Sequence, residues 1–97
     1  MKIVLMKFGA AWCQPCQQLA KRQTLEKFAE KHSDVRVAVH DDTMNGSTAY
    51  ERLANEWGIK NIPTLIWTSG GKELLRSYDV SSAGIEAQYQ RALRKVA

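Results

Sequence analysis

The chain has 97 residues, of which 44% are hydrophobic and 25% charged, which is enough for one compact core and excludes a mainly disordered protein. Its net charge of +4 comes from basic residues that alternate with Asp and Glu along the chain, so the sequence gives little support to nucleic-acid binding. We therefore expect one domain over residues 1–97 and no nucleic-acid partner.

The start of the chain does not have the pattern of a targeting or membrane segment. Lys2 precedes a short apolar run that ends at Lys7, which is shorter than the apolar region of a signal peptide. No other stretch reaches the length needed to cross a bilayer. We therefore expect a cytoplasmic protein without a membrane partner. In a reducing cytosol, two cysteines three positions apart indicate chemistry or metal binding rather than a structural disulfide.

The first half of the chain shows a strand, a helix and a second strand in succession. Residues 3–8 form a mostly apolar run that ends at Gly9, which predicts a buried strand followed by a loop. Residues 14–31 carry apolar side chains at helical spacing, without Gly or Pro beyond the first turn, and predict one continuous helix. Residues 35–40 alternate valines with other residues, as expected of a strand, and two aspartates close it.

A second helix is predicted in the middle of the chain. Thr48 and Glu51 form a capping-box pattern ahead of apolar residues at helical spacing. Gly58 is placed to end this helix after about ten residues.

The last part of the chain predicts two strands and a final helix. Residues 64–68 and 72–78 are separated by a Gly-Gly pair, which predicts two antiparallel neighbours joined by a tight turn. Residues 82–96 place apolar side chains on one stripe and basic residues near the end of a helix. The predicted order, β-α-β-α-β-β-α, favours an α/β fold in which helices cover both faces of a mixed sheet.

The Cys13-Gln14-Pro15-Cys16 segment is the candidate active site, because it follows a strand and opens a helix. The amino terminus of a helix favours a thiolate, so we expect Cys13 to be the nucleophile that attacks a substrate disulfide. Cys16 would then resolve the mixed disulfide and leave a redox-active Cys13–Cys16 disulfide. Pro15 costs no hydrogen bond in the first helical turn and would stiffen the segment.

Two segments carry a resemblance to a known family. The sequence WCQPC from Trp12 to Cys16 is similar to the thioredoxin active-site motif, and residues 58–65 look like that family's cis-proline segment. The similarity covers nearly the whole chain from the first strand onward. It implies the thioredoxin fold, with a cis Ile62–Pro63 bond facing the cysteines. Trp12, Ile62 and Pro63 would then form a docking surface for an extended substrate.

The resemblance also implies an activity and its partners. A member of this family would reduce protein disulfides, be recharged by a thioredoxin-reductase-type electron donor, and act as a monomer. Apart from the Cys13–Cys16 disulfide, we expect no cofactor and no metal.

Three departures from the family pattern are visible. The first strand begins almost at the start of the chain, so we expect a short form with a sheet of about four strands, which leaves a glutaredoxin-like or archaeal-type architecture open. Residues 77–81 stand where the family commonly has a glycine-containing loop. Lys7 occupies the position, six residues before the first cysteine, where the family usually has a buried aspartate.

Lys7 allows two interpretations. It could be exposed, or paired with Asp41 or Asp42, as a purely structural charge. If its ammonium lies under the active site instead, it would support catalysis by stabilising the thiolate of Cys16.

The sequence leaves three other functions to compare with disulfide reduction. A zinc site would have to combine the cysteines with His32 and His40, but we expect His32 at the far end of the first helix, as a solvated residue, and His40 as a titrating bystander. A glutaredoxin-like enzyme recycled by glutathione is the nearest alternative. A binding module that uses the cysteine pair only as a reversible clasp is the third.

Overall fold

Four strands and four helices make up the described part of the chain, residues 2–43 and 46–96 of a computed structural model. In chain order the elements are β1 (Ile3–Ala10), α1 (Gln14–Lys21), α2 (Thr24–Lys31), β2 (Val35–Asp42), α3 (Thr48–Glu56), β3 (Thr64–Ser69), β4 (Lys72–Ser77) and α4 (Ser82–Val96).

The helix predicted over residues 14–31 is two helices, and the prediction of one continuous helix was wrong. Between α1 and α2, Gln23 adopts left-handed backbone angles, with φ at 53° and ψ at 38°. On a continuous helix, Leu19 and Leu25 would point in directions about 120° apart. The break allows both side chains to enter the same core cluster. The observed order is therefore β-α-α-β-α-β-β-α.

Other boundaries differ from the predicted ones by small amounts. β1 continues through Gly9 to Ala10, and β2 includes the two aspartates that were expected to close it. The capping box predicted at Thr48 is not formed, because Ser47 is the N-cap residue of α3 and its side chain makes no capping bond. α4 has its predicted bounds.

The sheet has four strands in the order β2-β1-β3-β4 and is mixed, as predicted. β1 and β2 are parallel, with Gly9 opposite Asp41, whereas β3 is antiparallel to both β1 and β4. Gly70 and Gly71 join β3 to β4 with φ values of 61° and 78°, a conformation that glycine adopts at no steric cost. The register places the carboxyl ends of β1 and β2 side by side, at the edge where α1 begins.

Strand alternation divides the core between the two faces of the sheet. One face of β1 packs against α1, α2 and α4, whereas the other packs against α3. The first cluster comprises Ile3, Leu5, Leu19, Leu25, Phe28, Val35, Leu65, Trp67, Leu75, Ile85, Tyr89 and Ala92. The second comprises Met6, Phe8, Ala54 and Ile66. Helices therefore lie on both faces, as predicted.

Candidate active site

The two cysteines lie where β1 gives way to α1. Cys13 is the N-cap residue of α1 and Cys16 lies in its first turn. The two are joined by a disulfide with Cα atoms 5.2 Å apart, within the usual range for such bonds. Pro15 lies at the start of the helix, as predicted, where its missing N–H leaves no intrahelical bond unmade.

The two sulfurs differ in their surroundings. Cys13 is 9% exposed and Cys16 only 2%, so an incoming substrate reaches Cys13 more easily. The backbone N–H of Cys16 donates a hydrogen bond to Sγ of Cys13 at 3.3 Å. A donor aimed at this sulfur, together with the positive end of the helix dipole, favours negative charge on Cys13.

The loop before β3 meets the cysteines. The Ile62–Pro63 bond is cis, as the sequence comparison with the family implied. Ile62 is partly buried and packs against the small cluster formed by Ala10, Cys13 and Cys16. Pro63 is buried at the start of β3, whereas Trp12 is 52% exposed. The structure thus brings Ile62 to the cysteines and leaves the Trp12 side chain open to solvent beside Cys13.

Lys7 lies inside the protein, on the face of β1 that α1 and α2 cover. It is only 4% exposed, and its ammonium donates a hydrogen bond to Oδ1 of Asp41 at 2.5 Å. Of the partners considered from the sequence, Asp41 is therefore the correct one and Asp42 is not. Asp42 instead accepts hydrogen bonds from the backbone N–H groups of Gly46 and Ser47.

Gly9 marks the point where this ion pair approaches the cysteines. A Cβ atom at Gly9 would lie 2.9 Å from Sγ of Cys16, 3.0 Å from Oδ1 of Asp41 and 3.1 Å from Nζ of Lys7. These three atoms therefore surround one small gap that only a glycine leaves open. The Sγ–Nζ separation cannot exceed the sum of 2.9 and 3.1 Å.

The sequence alone did not identify Gly9 as part of this site, since it predicts a loop there, and it suggested Asp41 only as a structural partner of Lys7. The available signal was the spacing: Lys7 and Gly9 share one face of a strand, and a parallel neighbour ending in aspartates brings a carboxylate to the same edge.

His40 and Tyr50 pack near this edge but on the other side of the sheet, against Phe8. Burial lowers the pKa of His40, and the charge of Asp41 partly offsets that effect. Burial also raises the pKa of Tyr50, with smaller contributions from the charges of Asp42 and Asp41. Both groups therefore favour their neutral forms.

His32 is not the solvated residue that the sequence predicted. Its side chain is 18% exposed, stacks near Phe28 and Tyr89, and shares hydrogen bonds at 2.8 and 3.0 Å with the carboxylate of Glu86. It lies at the carboxyl end of α2, away from the cysteines. Among residues 2–43 and 46–96, no group of three or more His, Cys, Asp or Glu side chains converges as metal ligands would.

Three large aromatic residues, Trp67, Trp57 and Tyr50, pack against the core. Trp67 is fully buried and its indole N–H donates to Gln88 at 2.8 Å. Trp57 and Tyr50 are partly buried against the cluster on the opposite face. In the described part of the chain, no helix is long and apolar enough to cross a membrane.

Comparison with known proteins agrees with this arrangement. The thioredoxin family model matches residues 1–92. A thioredoxin of Alicyclobacillus acidocaldarius is 44% identical over 72 residues, which are 73% of this chain and 62% of that protein. Thioredoxin-2 of Saccharomyces cerevisiae is 35% identical over 86 residues, which are 88% of this chain and 75% of that protein.

Solved structures show the same fold. Spinach chloroplast thioredoxin F, in its short form, superposes with a TM-score of 0.78 at 25% identity, covering 94% of this chain and 76% of that one. Fasciola hepatica thioredoxin gives a TM-score of 0.77 at 22% identity, covering 94% and 81%. The family model, the two thioredoxin sequences and the Cys13–Cys16 disulfide support thiol-disulfide oxidoreductase activity. The chain belongs to the thioredoxin family.

Proposed function

We propose that this chain, acting as a single domain, reduces disulfide bonds in proteins by dithiol-disulfide exchange at Cys13 and Cys16. The observation that carries the proposal is the disulfide at the amino terminus of α1, in which Cys13 is the more exposed of the two cysteines. Family membership supports the same chemistry.

The reaction begins with the reduced protein. The thiolate of Cys13 attacks one sulfur of a substrate disulfide, forms a mixed disulfide and releases the other substrate sulfur as a thiolate. The thiolate of Cys16 then attacks Sγ of Cys13. The bond between Cys13 and the substrate breaks, the substrate leaves reduced, and the Cys13–Cys16 disulfide forms.

Trp12, Ile62 and Pro63 are proposed as the substrate-docking surface. The cis Ile62–Pro63 bond precedes β3, and Ile62 packs against the cysteine cluster. Backbone groups at the start of β3 could pair with an extended substrate segment, and the exposed ring of Trp12 adds apolar contact area beside Cys13.

Lys7 and Pro15 are proposed as supporting residues. The ammonium of Lys7 lies close to Sγ of Cys16 and favours the thiolate there, although its ion pair with Asp41 weakens that effect. Pro15 stiffens the turn that separates the two sulfurs.

The cellular setting completes the proposal. We place the protein in the cytoplasm as a monomer whose electron donor is a thioredoxin reductase. Family membership supports this choice of electron donor.

Reduction of insulin disulfides by the purified chain tests the proposal. We expect turnover with NADPH and a thioredoxin reductase, and we expect Cys13→Ser to abolish it. Cys16→Ser should retain one round of attack and accumulate a mixed disulfide with insulin, which mass spectrometry detects.

Parallel assays separate the alternatives. Turnover with glutathione and glutathione reductase alone would identify a glutaredoxin-like enzyme. Turnover with dithiothreitol alone would indicate a dedicated reductase. Failure with all three donors would overturn the enzymatic function and leave a binding module.

A further inference from the structure

The carboxylate of Asp41 lies close to Sγ of Cys16, and the exchange steps described above give it no role. Its Oδ1 and Sγ of Cys16 lie 3.0 and 2.9 Å from the same point above Gly9. The two atoms are therefore separated by no more than the sum of these distances. Because Gly9 has no side chain, nothing from that residue fills the space between them.

The second step of exchange needs a base at this place. Cys16 is 2% exposed, so bulk water has poor access to its thiol proton, and the attacking species must be the thiolate. The Lys7 ammonium favours a negative charge here, but as a protonated group it cannot accept the proton. The carboxylate of Asp41 can.

We propose that Asp41 is the proton acceptor for Cys16, and that Lys7 is a positioning residue that holds the carboxylate beneath the sulfur. This inference rests on the proposed disulfide-reductase function. In the resolving step, the Cys16 thiol gives its proton to Asp41. Its sulfur then attacks Sγ of Cys13, the bond from Cys13 to the substrate sulfur breaks with its electron pair on the substrate, and the Cys13–Cys16 bond forms.

The geometry also gives the proton a way out. A groove of about 380 Å³ runs along β2 beside α1 and α2 and is lined by Lys7, Leu19, Leu25, Val37, Val39 and Asp41. The side chain of Asp41 is 34% exposed, whereas that of Lys7 is 6% exposed. Asp41 therefore contacts the buried ammonium and the solvent at once, and a proton taken from Cys16 passes to water in the groove.

Other titratable groups surround the pair and must be considered in any pH profile. They come from each element that packs around this edge: Lys7 from β1, Glu26 from α2, His40 and Asp42 from β2, and Tyr50 from α3. Asp42 neighbours Asp41 on the same strand but binds the backbone of Gly46 and Ser47, so it is not aimed at the cysteines.

The experiment separates the two steps of exchange. Reduced protein, in excess, is mixed in a stopped-flow instrument with an aromatic disulfide whose thiolate product absorbs visible light. The first burst of absorbance reports attack by Cys13, and the second reports attack by Cys16 on the mixed disulfide. We expect Asp41→Asn to preserve the first phase, slow the second by about 100-fold, and move its pH profile towards alkaline values. Asp42→Asn is the matched control and should change neither phase.

The direction in which Asp41→Asn changes the rate of the second phase distinguishes proton transfer to Asp41 from charge stabilisation by Lys7. If only the Lys7 ammonium mattered, Asp41→Asn would release it from its partner and make the second phase faster. A faster second phase, an unchanged one, or one slowed without a shift of its pH profile would each overturn the proposal. Asp41→Glu, which keeps the carboxylate, should restore part of the rate.

A replacement variant and the first phase of the unsubstituted protein serve as further controls. Should Asp41→Asn fail to fold with Lys7 left unpaired, Asp41→Ser takes its place, because the smaller side chain admits water to the ammonium. Absence of the first phase in the unsubstituted protein would refute the proposed disulfide exchange itself, whereas a change confined to the second phase concerns Asp41 alone.

Discussion

Two polar clusters lie on the same face of the sheet, at opposite ends of the parallel strands. The active-site cluster consists of Lys7, Asp41 and Cys16, and the helix cluster consists of His32, Asp34, Glu86 and Tyr89. In the first, a buried ammonium and a carboxylate stand beside a sulfur that reacts. In the second, each polar group is hydrogen-bonded to another side chain of the cluster, away from the cysteines. We propose a chemical role for the polar groups at the first end, whereas those at the other end hold the helices to the sheet.

Among the substitutions that test the difference between the two clusters, introducing a methyl group at Gly9 should have the largest effect on stability and on exchange. In Gly9→Ala the new Cβ would lie within about 3 Å of three atoms of the active-site cluster, and two of them belong to buried side chains. We expect the free energy of unfolding to fall by about 1–3 kcal/mol, as in other overpacked cores. We also expect the resolving phase of exchange to slow, because the sulfur and the ion pair must separate. Urea denaturation and stopped-flow exchange measure the two effects.

Gly84→Ala is the matched control for that substitution. Its Cβ would meet the side chain of Asp79, which belongs to the exposed turn before α4. It should lower stability without changing the rate of either exchange phase. Equal rates for Gly9→Ala and the unsubstituted protein would show that the gap above Gly9 is not part of the reaction.

The helix cluster should respond to pH through Tyr89. Its hydroxyl donates to Asp34 at 2.7 Å, and this bond, together with burial, raises the pKa of Tyr89 to about 12 from its ordinary 10.0. A group whose pKa is raised on folding stabilises the protein fully below its unfolded value and loses that contribution as pH rises through the folded one. The contribution should therefore be present below pH 10 and decline between pH 10 and about 12.

Tyr89→Phe tests this window. At neutral pH we expect it to lower the free energy of unfolding by about 1 kcal/mol, since one hydrogen bond to a carboxylate is lost. The difference from the unsubstituted protein should shrink as pH rises above 10. Tyr78→Phe is the control, because that side chain is 58% exposed. A difference that stays constant up to the alkaline limit would contradict the assigned role of the Tyr89–Asp34 bond.

The two ends also differ in how well the sequence predicts them. Cys13 and Cys16 are recognisable because a reactive pair, a preceding strand and a following helix are all local features. The ion pair under Cys16 is not local: Lys7 and Asp41 are 34 positions apart, and only the parallel register of β1 and β2 brings them together. The sequence suggests more than one partner for Lys7, but it does not show whether the side chain lies under the active site.

The errors in secondary structure have a similar origin. No Gly or Pro at the break signals it in the sequence. The left-handed backbone of Gln23 turns Leu19 and Leu25 to the same side, and that requirement comes from packing of the core. His32 looked solvated because it ends a helix. Its hydrogen-bond partner, Glu86, lies 54 positions away on α4. Local periodicity predicts elements well, but side-chain partners depend on how distant elements pack.

The smallest expected effect is the contribution of ionised Glu86 to the free energy of unfolding. Its hydrogen bond with His32 lowers its pKa below the ordinary 4.5, and the charges of His32 and Lys31 add to the shift. Because a depressed carboxyl pKa stabilises the fold above the unfolded value, this contribution should be present above pH 4.5 and be lost as pH falls further. Solvent screens the pair, since the Glu86 side chain is 34% exposed, so we expect only a few tenths of a kcal/mol.

Glu86→Gln, followed by acid unfolding, measures that contribution. The variant should be slightly less stable than the unsubstituted protein near neutral pH and should converge with it in acid. Glu30→Gln, which removes an exposed charge from α2, should keep a constant difference from the unsubstituted protein at every pH. If Glu86→Gln also slowed disulfide exchange, the helix cluster would be coupled to the cysteines through the core that α2 and α4 share. Unchanged exchange would instead confine the chemistry to the end of the sheet where Lys7, Asp41 and Cys16 meet.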